Sequence, residues 1–480
     1  MQFNSYIFIL LFLPIFVVGF FLLNKINIFL GKLFIILSGV VFYIYAGINI
    51  SIIFGISIVI NYLLALIIKK VKKKWMCGLA IIANVGLLIY FKYYNFIILT
   101  INDYSAKQYP TKDILLPLGI SFFTFQQIMY LVNLYKDEIK EAKLTDYLAY
   151  ILYFPKLIMG PLAEPKEIID QINDKENKKI KWDNMAAGLR LFSYGLFKKV
   201  VLADTFAKVV KWGFTNPGSA TAGDLFLIMI FYTFEIYFDF SGYTDMAVGV
   251  SNMINISLPI NFNSPYKATS IRDFWKRWHM SLTAFLTKYI YFPLGGSKKG
   301  VVRTYLNILL VFIVSGLWHG ANWTFILWGL IHGGLQILER VCDKFYNKLF
   351  DVAKWMYTFF AVNILWLLFR AESIQQWKEM LIKMFSFQNM AISDEVLGPF
   401  PSSILTFLIE RFHLTTLSTS VRGLSMIIYI VAAYVICLVP ENNYKTSQRT
   451  NYFNVVTSAI AFIWAFLCLT SESVFVYFNF

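Results

Sequence analysis

The side chains of this chain that could do chemistry gather between Asp239 and His332. His319 stands in Ser315-Gly316-Leu317-Trp318-His319-Gly320-Ala321-Asn322, at the end of an apolar run. An ionisable group at such a place is costly, and its default reading is functional. A neutral imidazole exchanges its proton near pH 7, which suits a general base. The plainer alternative is a histidine that only hydrogen-bonds a neighbouring helix. The flanking glycines weigh toward a site, because they let backbone or ligand come close.

His279 belongs to Ile271-Arg272-Asp273-Phe274-Trp275-Lys276-Arg277-Trp278-His279-Met280-Ser281-Leu282. One continuous helix would put Arg272, Lys276 and His279 on one face. Phe274, Trp278 and Leu282 or Phe285 would form another stripe, giving an amphipathic interfacial helix. A membrane-surface anchor with a solvated charged face is the bland reading. Asp239 and Asp245 lie in Tyr237-Phe238-Asp239-Phe240-Ser241-Gly242-Tyr243-Thr244-Asp245. Paired carboxylates can do acid–base work. The favoured reading is a polar network among helices, with Asp239 fixing another member of the site. In the turn Tyr291–Gly300, glycines beside Lys298 and Lys299 can cradle a phosphate, although the P-loop spacing is absent. A basic cytoplasmic turn is the alternative there. His332 and His413 are scattered, as are Cys77, Cys342, Cys437 and Cys468. No HExxH or CxxC occurs, so no metal site and no disulfide framework are expected.

What must position these groups is a membrane protein. The chain is 58% hydrophobic and 15% charged, with a mean hydropathy of +0.60. Soluble domains are about 45–50% apolar and about 25% charged. The excess requires lipid as solvent, and the 18% of aromatic residues fits interfacial belts. Clear spans are expected at 6–23, 29–46, 48–68, 75–99, 301–317, 323–338, 355–369, 424–439 and 453–469. The first is read as a retained span, since no cleavage site follows it. Apolar runs at 114–134, 147–162, 186–202 and 225–238 are interrupted by Gly, Pro and polar residues. Broken helices at membrane depth are tolerated where they line a cavity. The expectation is a single all-α membrane domain over 1–480, with about 11 spans plus re-entrant pieces. Its catalytic region would be about 237–338, with peripheral helices over 1–100 and 355–480.

The densest basic run, Lys69–Lys74, is placed in the cytoplasm, and so are the segments around Lys298 and Arg340. The connection 318–322, with His319, then faces the outer half of the membrane. The net charge of +15 is accounted for by such loops. No groove-reading motif accompanies it, so nucleic-acid binding is set aside.

Four segments in order carry a resemblance: Asn261-Phe262-Asn263-Ser264-Pro265-Tyr266, Arg272–His279, Tyr291–Gly296 and Gly316-Leu317-Trp318-His319-Gly320-Ala321. Together they resemble the membrane-bound O-acyltransferase family, and most closely its bacterial branch of alginate O-acetylation proteins. Phe12-Leu13-Pro14, Tyr90-Phe91-Lys92-Tyr93 and Leu116–Phe122 fit the same branch. The likeness covers most of the chain, is most specific from Asp239 to His332 and is weakest in the last ~100 residues, where fewer motif positions can be matched. A related branch, the D-alanyl transfer proteins of teichoic acid modification, shares the Trp-His pair at His319 and is the nearest enzymatic alternative.

The resemblance implies a ring of tilted helices around a central tunnel in the cytoplasmic membrane. An acyl thioester, either acetyl-CoA or an acyl carrier protein, would enter from the cytoplasm, with no tightly bound cofactor. The acyl group would leave toward an extracytoplasmic polysaccharide, through a partner transferase of the hydrolase-like kind. His319 would be catalytic and His279 a second important position. Asp239, Ser241, Tyr243, Arg277, Trp278, Trp318 and Asn322 would contact substrate or line the tunnel. Arg272, Lys276, Lys298 and Lys299 would attract the donor's phosphates. No serine or cysteine nucleophile with an adjacent base is visible, which favours direct transfer over a covalent acyl-enzyme, with a relay through His319 itself as the alternative. The rival from another class is a transporter or flippase for a lipid-linked glycan. It calls for inverted repeats, and the sequence displays none. A scaffold for a partner enzyme would leave His319 unexplained.

Overall fold

The computed structural model describes residues 1–400, 418–469 and 475. His413 lies outside them. Every regular element among the described residues is a helix. Seven helices among the described residues are long and apolar enough to cross a membrane: Phe8–Ile26, Ile48–Val71, Lys74–Tyr104, Ala222–Met253, Val301–His319, Asp351–Arg370 and Val421–Leu438. Ile28–Ile44 and Tyr452–Leu467 are shorter apolar helices. Each coincides with an expected span or interrupted run. Among the described residues, length and apolarity alone pick out fewer helices than the expected total of about 11, within an all-α polytopic fold of the expected kind. The helix Trp323–Val341 carries His332, Gln336 and Glu339 on its buried side, which dilutes its apolar character. The run 147–162 forms two short helices, Leu144–Ile151 and Phe154–Leu157, because Pro155, Gly160 and Pro161 break it.

The chain forms two compact units, neither of them a contiguous segment. The first comprises Met1–Leu196, Tyr243–Ile260 and Tyr444–Phe480. Here Leu13–Ile26 and Ile28–Ile44 make a hairpin at Asn27, whose side chain accepts the Phe29 N–H. Close packing depends on glycine: a Cβ on Gly39 would stand 1.8 Å from the Leu152 carbonyl oxygen. Polar side chains join the helices inside. Asn84 donates to Asn61 Oδ1 at 2.7 Å, and Lys156 Nζ donates to Gln126 Oε1 at 2.6 Å. Away from water these groups must be satisfied by one another.

The second unit comprises Phe197–Gly242 and Asn261–Asn443. Its backbone is the hairpin of Val301–His319 and Trp323–Val341. Two glycines set its spacing. A Cβ on Gly316 would meet the Phe325 carbonyl oxygen at 2.2 Å, and one on Gly329 would meet that of Phe312 at 2.3 Å. Without a hydrophobic drive between helices in lipid, small residues provide the close approach that dispersion needs. Asn322 caps the second helix, accepting the Thr324 N–H at 3.0 Å.

Candidate functional site

The helix Val301–His319 ends on the candidate base. His319 is buried and packed by three rings: Trp318, Trp328 and Phe369, with centroids at 4.9, 5.4 and 5.0 Å. Gly320 follows in extended conformation, and a Cβ there would collide with the Phe325 ring. Asn322 caps the next helix and donates to the Glu372 carbonyl at 2.8 Å.

The second histidine corrects an expectation. The helix anticipated through 271–282 stops at Arg277 and restarts at Met280. Between them His279 has φ +45°, in the left-handed region. Such a conformation is uncommon outside glycine and is held here by tertiary bonds. The Met280 N–H donates to the Asn261 carbonyl at 3.0 Å, and Ser281 donates through N and Oγ to Asn261 Oδ1 at 3.1 and 2.6 Å. His279 therefore leaves the face of Arg272 and Lys276 and turns fully inward. The segment is a buried elbow with a basic outer side, where an interfacial surface helix was expected. The His279 ring meets Phe240 at 4.7 Å and Trp318 at 5.8 Å. Burial pushes its pKa down to about 3, so the ring is neutral. Trp318 thus touches both histidines.

The first turn of the elbow is held by acid. Glu339 accepts the N–H groups of Ile271 and Arg272 at 2.7 and 3.2 Å, and Ser270 Oγ accepts that of Asp273. Carboxylates are stabilising at a helix N-terminus. Arg277 pairs with Asp273 at 2.9 Å, one turn away. Trp278 is buried among Phe274, Phe262 and Trp366.

Asp239 sits in a polar network, the arrangement favoured from sequence. Lys199 Nζ lies 2.7 Å from Asp239 and 2.8 Å from Asp204. Lys199 occupies a π-helical stretch, Lys198–Ala203. Such bulges often mark functional sites. The sequence reading passed over it, though two lysines inside the apolar run 186–202 were a signal. Ser241 is buried in the same unit. Tyr243 is elsewhere: it belongs to the first unit, stacked on Phe3 and edge-on to Phe475.

A pocket of about 260 Å³ opens beside the elbow. Arg272, Lys276 and Arg340 supply positive charge, while Leu282, Leu286 and Phe312 supply apolar wall. Ser315, one turn before His319 on the same helix, also lines it. Trp275 forms part of the wall and donates its indole N–H to His332 Nδ1 at 3.2 Å. His332 in turn packs on Trp328, which packs on His319. Lys298 and Lys299 do not line the pocket. They sit in a turn built by Gly295, Gly296 and Gly300, all at positive φ, and tied down by Asn307 on the Gly296 carbonyl. The place of Arg340, Trp275 and His332 at this pocket is not readable from the sequence, because only the hairpin brings Arg340 and His332 back to the elbow.

Comparison with known proteins gives the family. Residues 76–374 match the membrane-bound O-acyltransferase family. A peptidoglycan O-acetyltransferase of Helicobacter pylori is 36% identical over 85% of this chain and 83% of its own. A probable alginate O-acetylase of Pseudomonas putida is 38% identical over 68% of this chain and 67% of its own. A teichoic acid D-alanyltransferase of Bacillus subtilis is 29% identical over 58% and 70%. The family match over 76–374 and the relative 36% identical over 85% of the chain place the chain in the membrane-bound O-acyltransferase family, and its apolar helices make it a multi-pass membrane acyltransferase.

Proposed function

We propose that the chain moves an acetyl group from a phosphopantetheine thioester in the cytoplasm to a hydroxyl outside the cytoplasmic membrane, for O-acetylation of a cell-wall glycan. The acceptor class rests on the likeness to the peptidoglycan enzyme, which extends over more of the chain than the likeness to the alginate proteins. The observation that carries the mechanism is Ser315. It lines the basic-rimmed pocket and lies one helical turn from His319. A thioester held by its phosphate at Arg272, Lys276 and Arg340 would thread its arm along the apolar wall toward that helix end.

A thioester is already activated, so the chemistry needs a base and a held carbonyl. His319 accepts the proton of the acceptor hydroxyl as its oxygen attacks the carbonyl carbon. The tetrahedral intermediate collapses, the C–S bond breaks, and the thiolate takes up the proton. His279, neutral and set against Trp318, holds that indole and with it the His319 ring. Asp239 and Lys199 brace the long helix Ala222–Met253, whose Phe240 packs on His279. The acceptor hydroxyl belongs to the glycan or to a partner transferase that hands the group on.

The test is to delete the gene and complement it with wild type or His319→Ala, then release esters from the wall with base. Acetate should be restored by wild type alone, with equal amounts of both proteins in the membrane. Release of D-alanine in place of acetate would favour the teichoic acid reading. Undiminished acetate with His319→Ala would overturn the assignment of the base.

A further inference from the structure

We infer that a groove on the first unit binds an anionic phospholipid, with an acyl chain between three helices and the phosphate on Arg190. The groove holds about 500 Å³. Its walls come from Phe8–Ile26 (Leu13, Val17), Trp182–Phe197 (Leu189, Phe192) and Tyr452–Leu467 (Val455, Phe462). Two serines also line it, yet the wall is apolar. Ser193 Oγ donates to the Leu189 carbonyl at 2.8 Å and Ser458 Oγ to that of Val455 at 2.9 Å, so both hydroxyls are spent on their own helices. Leu189 and Val455 are exposed, so the groove opens on the surface. From Val455 to Phe462 the helix rises roughly 10 Å, most of one leaflet of a hydrocarbon core about 30 Å thick.

Arg190 lines the groove and reaches the segment just before the Tyr452–Leu467 helix, and it is the informative residue. It is only 6% exposed. Its Nε donates to the Ser447 carbonyl at 2.9 Å and one Nη to Thr450 Oγ1 at 3.2 Å. Both partners are neutral, and among the described residues no carboxylate makes an ion pair with it. A guanidinium has five N–H donors, and a buried charge needs a counter-charge. Phosphate oxygens match its fork. The segment carrying Ser447 and Thr450 is fixed by Asn454, which donates to the Thr446 and Arg449 carbonyls. Lys445 and Arg449 are exposed in that segment, which adds the positive surface that anionic headgroups seek. With the lysine-rich loop before Trp182, these charges assign this part of the groove to the cytoplasmic leaflet. An apolar partner helix would fill the groove but leave the guanidinium uncompensated. The inference stands apart from the identity of the acyl group transferred.

The full-length protein in neutral detergent can be titrated with phosphatidylglycerol or phosphatidylcholine of matched chains, with bound lipid counted by native mass spectrometry. Phosphatidylglycerol should bind about ten-fold more tightly. Arg190→Gln should remove that preference, and Arg190→Lys should keep part of it. Ala459→Phe fills the groove without touching the charge and should weaken both lipids alike. Glycerol phosphate, a headgroup without chains, should not compete. Equal binding of the two lipids to wild type would overturn the proposal, and so would an unchanged preference in Arg190→Gln. Full binding to Ala459→Phe would show headgroup adsorption alone, and a co-purifying polypeptide that shields Ala459→Cys from maleimide would show a protein occupant. Either would also overturn it. Should Arg190→Gln fail to fold, Arg190→Lys and Ala459→Phe decide the matter.

Discussion

Lys199 Nζ lies 2.7 Å from Asp239 Oδ1, and both side chains are about 1% exposed. Asp204 completes the set at 2.8 Å. Removing one partner of a buried pair leaves an uncompensated charge and costs about 3–5 kcal/mol, less where a second carboxylate stays in place. Asp239→Asn should therefore lower the thermal unfolding midpoint in detergent, read by tryptophan fluorescence. Lys199→Met combined with Asp239→Leu should recover part of the loss. A double variant as unstable as the sum of the singles would mean that the pair is not coupled.

The basic groups fall into two sets that respond differently. Arg272, Lys276 and Arg340 line the pocket, whereas Lys298 and Lys299 do not. Arg272→Glu with Lys276→Glu should raise the donor KM with little change in kcat, since contacts remote from the carbonyl bind ground and transition states alike. Lys298→Glu with Lys299→Glu should leave KM within about two-fold, because exposed charges are worth little. Initial rates at varied donor concentration in reconstituted vesicles distinguish the two. Equal KM changes in both double variants would count against the pocket.

Helix spacing at Gly316 gives a control within one hairpin. A Cβ there would lie 2.2 Å from the Phe325 carbonyl oxygen, while one on Gly334 would meet nothing within 4 Å. Gly316→Ala should destabilise by about 1–3 kcal/mol, as overpacking does, and reduce turnover by shifting His319. Gly334→Ala should change neither. Near-normal activity in Gly316→Ala would show that the backbones can part without moving the imidazole.

His279 makes stability sensitive to acid. Its folded pKa is pushed down to about 3 by burial, against about 6.5 in an unfolded chain. The unfolded state then binds the extra proton first, so stability is full above pH 6.5 and falls as pH drops toward 3. His279→Gln removes this contribution. Between pH 7 and pH 4.5 its unfolding midpoint should fall less than that of wild type. A larger fall in the variant would mean that the imidazole is charged in the native protein.

Most of the helical framework was legible in the sequence for a simple reason. In lipid every backbone N–H and C=O must be paired within its own segment, so a long apolar run has little choice but to be a helix. The bounds of Ile48–Val71 and Val301–His319 follow from such runs, and His319 at the end of one was visible as a costly residue in an odd place. The motifs from Asn261 to Ala321 carried the family. What the tertiary structure alone decided concerns contacts between segments far apart in the chain. The break at His279 depends on Asn261, the assignment of Arg340 to the pocket depends on the hairpin, and the bond from Trp275 to His332 depends on both. Helical periodicity put Arg272, Lys276 and His279 on one face because it measures only local repeats. A left-handed residue held by distant partners leaves no trace in that repeat, and the chemistry of the elbow turns on it.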